Sequence, residues 1–383
     1  MRRGTLYLFG LVVTALVALG LVVLSSASGA NGVRLHGDPL YFMKRQFIFL
    51  GAGLLIAAAT AAFDYRRWRD NWMLAVVFYG VIFALLWCVF GFKAINGSHR
   101  WIPIGPVRLQ PSEFAKLATV ILVSVFVDKA GWRVELFKRG ALFPIIFIGL
   151  MAFPVILEPD FGSTMVIVLV GLLVMFLAGV RILHLCSFGI IGFAFLGYRV
   201  FTNANRMARI LAFLGVNPET AEGGAAVSDA AAKAAAYQAK MALVAIQRGD
   251  IFGVGLGQSM QKQLYLPEAH TDFIFAVGAE EMGLVFSVAV VALFVMFFVL
   301  SVIIALKSQD RFGRFLAMGM AFIIFFQAIF NLGVVCEALP TKGMALPFFS
   351  YGGTNMISAF FAAGTILSVG IRAATGERRA IRR

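Results

Sequence analysis

The sequence predicts an all-α polytopic membrane protein with about ten transmembrane helices, both termini in the cytoplasm and a large extracytoplasmic loop between helices 7 and 8. Three observations carry this. Of 383 residues, 61% are hydrophobic and 14% charged, against roughly 45–50% and about 25% in soluble domains. The apolar residues form runs near the roughly 20 residues that cross a bilayer. Lys and Arg collect in alternate loops between those runs.

The runs read as residues 6–26, 42–63, 72–91, 113–128, 141–157, 163–180, 183–200, 273–306, 314–337 and 350–371. The first follows Met1-Arg2-Arg3 and ends near Ser25-Ser26-Ala27-Ser28, as a signal peptide would. Its apolar stretch exceeds the roughly 7–15 residues of such peptides, and further spans follow, which favours an uncleaved anchor. The fourth run is short and carries charge. The sixth and seventh meet at a tight Val180-Arg181-Ile182 turn. Residues 201–271 form the long loop, and 372–383 a basic tail, all within one integral membrane domain spanning 1–383.

Orientation follows from the short loops. Arg66, Arg67, Arg69, Lys129, Arg133, Lys138, Arg139, Arg181, Lys307, Arg311, Arg314 and the Arg-rich C-terminal tail fall on the side of the N-terminus, and far fewer cations on the other. Such loops stay in the cytoplasm. The net charge of +14 is therefore a topology signal and excludes nucleic-acid binding. Cys88, Cys186 and Cys336 lie in apolar runs without disulfide or metal spacing, and are expected as small core residues.

On this topology the unusual polar stretches all lie outside. Leu266-Pro267-Glu268-Ala269-His270-Thr271-Asp272 opens into the eighth span. Pro267 restricts the chain there, and Thr271 or Asp272 is expected to cap the helix. A carboxylate at the positive end of the helix dipole is suited to act as a base. The loop before the fourth span ends Gln110-Pro111-Ser112-Glu113-Phe114-Ala115-Lys116. Glu113 and Lys116 share a helix face, either as an ion pair locking helices or facing substrate in a wet cavity. Trp101 beside Arg100 fits an interfacial anchor as well as a substrate contact. Asp160 in Glu158-Pro159-Asp160-Phe161-Gly162 fits plain turn chemistry or a site carboxylate. The loop from Leu339 to Thr354 is rich in Pro and Gly, as expected of non-helical backbone dipping to membrane depth.

In the long loop, residues 217–236 are Ala/Gly-rich and read as weakly ordered or marginally helical, and Tyr237 to Ile246 as a short amphipathic helix. Gly253-Val254-Gly255-Leu256-Gly257 follows no strand, which excludes a nucleotide loop. Glycine there is expected to let the backbone approach a bulky headgroup. Together, Arg100, Arg206, Arg209, Lys116 and Lys342 with Asp160 and Asp272 suit an outward cavity for a lipid-linked anionic substrate. The cations would hold phosphates and a carboxylate would act on a sugar hydroxyl.

Four stretches, 97–116 (GSHRWIPIGPVRLQPSEFAK), 158–163 (EPDFGS), 252–281 (FGVGLGQSMQKQLYLPEAHTDFIFAVGAEE) and 339–353 (LPTKGMALPFFSYGG), resemble the SEDS family of shape, elongation, division and sporulation proteins. The third and fourth stretches of this set lie closer to its cell-division branch than to its elongation branch in PEAHTDFIF and PTKGMALPFFSYGG. The chain departs from the family's usual pattern at His99, Ser163 and Thr354-Asn355. The resemblance implies a peptidoglycan glycosyltransferase that polymerises lipid II at the outer face of a bacterial cytoplasmic membrane, at the division septum, beside a class B penicillin-binding protein. It implies Asp272 as the essential aspartate. It also implies cavity positions at Glu113, Lys116, Asp160, Lys342 and Ser350, with Arg100 and Trp101 as the family's RW pair. Asp272 would be the general base, or would instead hold a divalent cation (Mg or Mn). The alternatives are an elongation-type polymerase, a lipid II flippase and a scaffold for the division machinery.

Overall fold

The computed structural model describes residues 3–93, 98–105, 107–201, 207, 229–262, 266–340 and 343–381. Its helices are α1 (Arg3–His36), α2 (Tyr41–Ala62), a short α3 (Arg66–Asp70), α4 (Trp72–Cys88), α5 (Pro111–Ala130), α6 (Phe143–Leu157), α7 (Phe161–Leu177), α8 (Ile182–Phe201), α9 (Asp229–Gly249), α10 (Ile274–Leu306), α11 (Arg311–Val335) and α12 (Gly353–Ile381). All except α3 and α9 coincide with the ten predicted spans. Among the described residues, seven helices are long and apolar enough to cross a membrane, and α7 is a shorter apolar one. The chain is a multi-pass membrane protein.

The bundle is organised around α5, α11 and α12. α12 packs along α2, α11 lies between α10 and α12, and α5 sits against α4, α6, α7 and α11. α5 is buried over most of its length, which explains how a short run carrying charges lies inside a bundle: protein rather than lipid surrounds it. The remaining spans turn large apolar residues such as Leu55, Val77, Leu150 and Val288 outward, where lipid replaces water as the solvent.

Three expectations are corrected. α1 does not end near Ser28 but continues to His36, beyond Ser26, whose Oγ meets Lys262 of the long loop at 2.7 Å. The three cysteines are exposed on the bundle surface instead of filling its core; in a membrane the outer surface is itself apolar, so an apolar run does not mark an interior. In the long loop, residues 229–236 are the first turns of the 21-residue α9, since Ala has the best helix propensity; residues 217–228 lie outside the described set.

A β-hairpin, β1 (Ile102–Ile104) and β2 (Val107–Leu109), pairs antiparallel in the outer loop before α5. Thr354 ties it to the start of α12: its Oγ1 accepts from Gln110 N (3.1 Å) and donates to Arg108 O (3.2 Å).

Candidate active site

Asp272 lies on a turn held by Glu268, whose carbonyl accepts from Thr271 N (3.1 Å) and Phe273 N (3.3 Å) and whose carboxylate accepts from Thr271 Oγ1 (2.8 Å). Phe273, and not Thr271 or Asp272, occupies the N-cap of α10, without a side-chain cap bond. The expected cap is therefore corrected: the turn leaves Thr271 bonded backwards to Glu268 and starts the helix later. Asp272 is half-buried. Its carbonyl accepts from Asn331 Nδ2 of α11 at 2.7 Å, and the same nitrogen reaches Met344 O at 2.6 Å. Its carboxylate packs against the loop before α12, where a Cβ added to Gly343 would lie 2.5 Å from Asp272 Oδ2.

Neighbouring His270 completes the junction. Its carbonyl accepts from Tyr351 N (3.1 Å), and its ring lies 4.6 Å from Phe42 of α2 and 5.8 Å from Tyr351. Burial pushes the imidazole below its ordinary value, so it is neutral at physiological pH. Ser350 is buried, its Oγ accepting from Leu346 N (2.8 Å) and its carbonyl from Gln46 Nε2 (3.2 Å). In this position it braces the same loop.

Asp160 caps α7. Oδ1 accepts from Ser163 N (3.2 Å), and Oδ2 from Gln110 Nε2 (3.1 Å) and Ser112 Oγ (3.3 Å), so it joins the α6–α7 turn to the start of α5. Arg100 donates to two carbonyls of that turn, Nε to Glu158 O at 3.3 Å and Nη2 to Pro159 O at 2.6 Å. Trp101 is half-buried just before β1. Glu158 is fully buried and neither carboxylate oxygen has a hydrogen-bond partner among the described residues. Desolvation, helped by nearby Asp160, pushes it up to about 8, so at neutral pH it is largely the uncharged acid.

Glu113 and Lys116 meet at 2.7 Å, with side chains 8% and 1% exposed. Glu113 Oε2 also accepts from Ser358 Oγ of α12 (3.0 Å) and Gln327 Nε2 of α11 (3.5 Å). Lys116 is thus an interior partner and not one of the exposed cations expected at the outer mouth. Arg206, Arg209 and Lys342 lie outside the described residues.

Sequence reasoning missed Glu280 and Glu281, both buried on α10. Arg248 (3.4 Å), Met260 N (3.2 Å) and Ser259 Oγ converge on Glu280. Lys262 (2.9 Å) and Ser26 of α1 (2.6 Å) meet Glu281. Just beyond them α10 is broken at Gly283, at φ 73° and ψ −164°. The chain 250–255 fills the break: Val254 N and Gly255 N donate to Glu280 O and Glu281 O, and Leu284 N and Val285 N to Asp250 O and Ile251 O. A side chain at Gly253 would strike Glu281 O. Gly253 therefore lets backbone approach α10. Two acidic residues together in an otherwise apolar span were the available signal.

The family model described as "Cell cycle protein", covering FtsW, RodA and SpoVE, matches residues 6–374. The chain belongs to this family. A relative named "Probable peptidoglycan glycosyltransferase FtsW" from Trichlorobacter lovleyi is 35% identical over 360 residues, covering 94% of this chain and 91% of the relative. One of the same name from Nitrosococcus halophilus is 39% identical, covering 95% and 91%. Among solved structures, this FtsW/RodA/SpoVE chain resembles one from a study of polymerization and crosslinking by a peptidoglycan synthase complex, with a TM-score of 0.74 at 25% identity and coverage of 97% and 98%. It also resembles the rod shape determining protein RodA of Thermus thermophilus, with a TM-score of 0.67 at 26% identity and coverage of 97% and 96%.

Proposed function

We propose that the chain is a peptidoglycan glycosyltransferase that polymerises lipid II at the outer membrane face, with Asp272 as general base. The observation that supports this best is the setting of Asp272. It is a half-buried carboxylate on an outer turn whose main chain is pinned to α11 and whose side chain backs onto Gly343, in a chain whose relatives carry that activity in their names. Asp272 takes the proton of the acceptor sugar's 4-hydroxyl as that oxygen bonds to the donor's anomeric carbon. The anomeric C–O bond to undecaprenyl pyrophosphate breaks with inversion, and its electron pair leaves on the pyrophosphate. General-base help is worth about 10²–10⁴-fold.

Among the described residues, no three His, Cys, Asp or Glu side chains converge to hold a metal. Mg²⁺ commonly needs only one or two carboxylates plus substrate phosphates, and in the alternative to the base role Asp272 would supply that carboxylate. A bound divalent cation would neutralise charge on the leaving pyrophosphate. Arg100 and the cations of the long loop and of the α11–α12 loop are assigned to the phosphates. The partner is a class B penicillin-binding protein that cross-links the strands, and the place of work is the division septum; the names of the relatives favour division over elongation.

The test is lipid II polymerisation by the purified chain, alone and with its class B partner, for wild type and Asp272→Asn. Glycan strands from wild type only are expected. Strands at equal rates from both would remove Asp272 as base. Transfer of lipid II across the bilayer without strands would replace the polymerase by a flippase.

A further inference from the structure

Asn331 lies on α11, four residues after Gln327, and both side chains point into the bundle, 2% exposed each. This i, i+4 pair reaches two residues that the sequence singled out, Glu113 by its carboxylate and Asp272 by its main chain. Gln327 Nε2 lies 3.5 Å from Glu113 Oε2, and Asn331 Nδ2 bonds the Asp272 main chain. The two acceptors of Asn331, Asp272 O at 2.7 Å and Met344 O at 2.6 Å, belong to different outer loops. Both are carbonyls, which fixes the amide orientation, because a flipped amide would face oxygen to oxygen. Its own Oδ1 has no partner among the described residues. One nitrogen thus holds the loop bearing Asp272 to the loop bearing Gly343, against which the Asp272 carboxylate packs.

We propose that Asn331 is a positioning residue for the transfer reaction, setting the place of the Asp272 carboxylate by clamping these two loops to α11. The inference rests on the reading of Asp272 as base. The physical ground is that a general base works only within hydrogen-bond reach of the proton it takes, and a displacement of about 1 Å can cost about 10²-fold. Tyr351 N to His270 O also ties these loops, and Phe273 N to Glu268 O holds the Asp272 turn internally; the Asn331 amide ties both loops to α11.

The experiment compares wild type, Asn331→Ala, Asn331→Asp and Asp272→Asn as full chains, with lipid II titrated between pH 5.5 and 8.5 and the thermal midpoint recorded for each. Asn331→Ala is expected to lower kcat by ~10²-fold while KM stays within a few-fold. In Asn331→Asp the shape is kept, but the donor exists only while the new carboxyl is protonated. Facing two carbonyls in a buried site raises its pKa, so kcat of this variant relative to the wild type should rise as pH falls. A purely structural role predicts wild-type kcat per folded molecule and a ratio to the wild type that does not change with pH, and either result overturns the proposal. Should Asn331→Ala fail to fold, Asn331→Asp decides alone by the same profile. Full activity of Asp272→Asn would overturn the base reading and this proposal together. An inactive Asp272→Asn beside an Asn331→Ala of normal kcat overturns only the latter.

Discussion

Replacing Lys116 by Met should cost more than any single change to an exposed cation. Lys116 Nζ sits 2.7 Å from Glu113 Oε1, with the two side chains 1% and 8% exposed. Its removal leaves a buried carboxylate with Ser358 Oγ at 3.0 Å and Gln327 Nε2 at 3.5 Å as its side-chain donors among the described residues. Breaking one side of such a pair typically costs about 3–5 kcal/mol, while replacing both charges can be neutral or stabilising. Lys116→Met should therefore lower the thermal midpoint in detergent strongly, and Glu113→Gln with Lys116→Met should recover most of it. The amide of Glu113→Gln can still bond Ser358, and the Met fills the lysine's volume. Polymerisation rate measured beside the midpoint separates the two readings of this pair. If it locks α5 to α11 and α12, the double variant regains activity with stability. A stable double variant that makes no strands would refute the lock and give the pair a part in substrate handling.

Other outcomes can be checked in the same assays. Gly343→Ala places a methyl 2.5 Å from Asp272 Oδ2 and should cut kcat by ~10²-fold with a near-normal thermal midpoint; an unchanged kcat would contradict the described seat of Asp272. Gly283→Ala meets both a positive φ and the backbone of Ile251 and Gly253. It should destabilise the chain by more than the ~1–3 kcal/mol of a strained backbone alone, seen as earlier proteolysis of the 250–262 loop. Glu158 is raised from 4.5 to about 8, so the folded protein holds a proton that the unfolded chain releases. Stability should fall as pH rises from about 4.5 to about 8, and Glu158→Gln should flatten that part of the profile; an identical slope in the variant would count against the shift.

The spans were legible because hydropathy and length are local properties: 42–63 became Tyr41–Ala62 and 273–306 became Ile274–Leu306. Asp272, Asp160 and the Glu113–Lys116 pair were legible as charges in costly places, and the pair's helical spacing foretold its contact. What could not be read were features defined by partners distant in sequence. Gly283 in an apolar run looks like any helical glycine until 250–255 is seen in the break. The tie of α1 to α10 runs from Ser26 to Glu281, 255 positions away. Ser350 bonds its own loop and Gln46, 304 positions away, which no local pattern announces. The cysteines misled because burial and hydrophobicity part company in lipid.

The break at Gly283 bears on how the protein is built. The segment Ile274–Met282, next to Asp272, joins the rest of α10 across a residue with no helical geometry, and donors from 248–262 complete it. Those donors all precede the two glutamates in the chain, so the stretch that satisfies the acidic end of α10 is the loop immediately before it. Ser26 closes the assembly from α1.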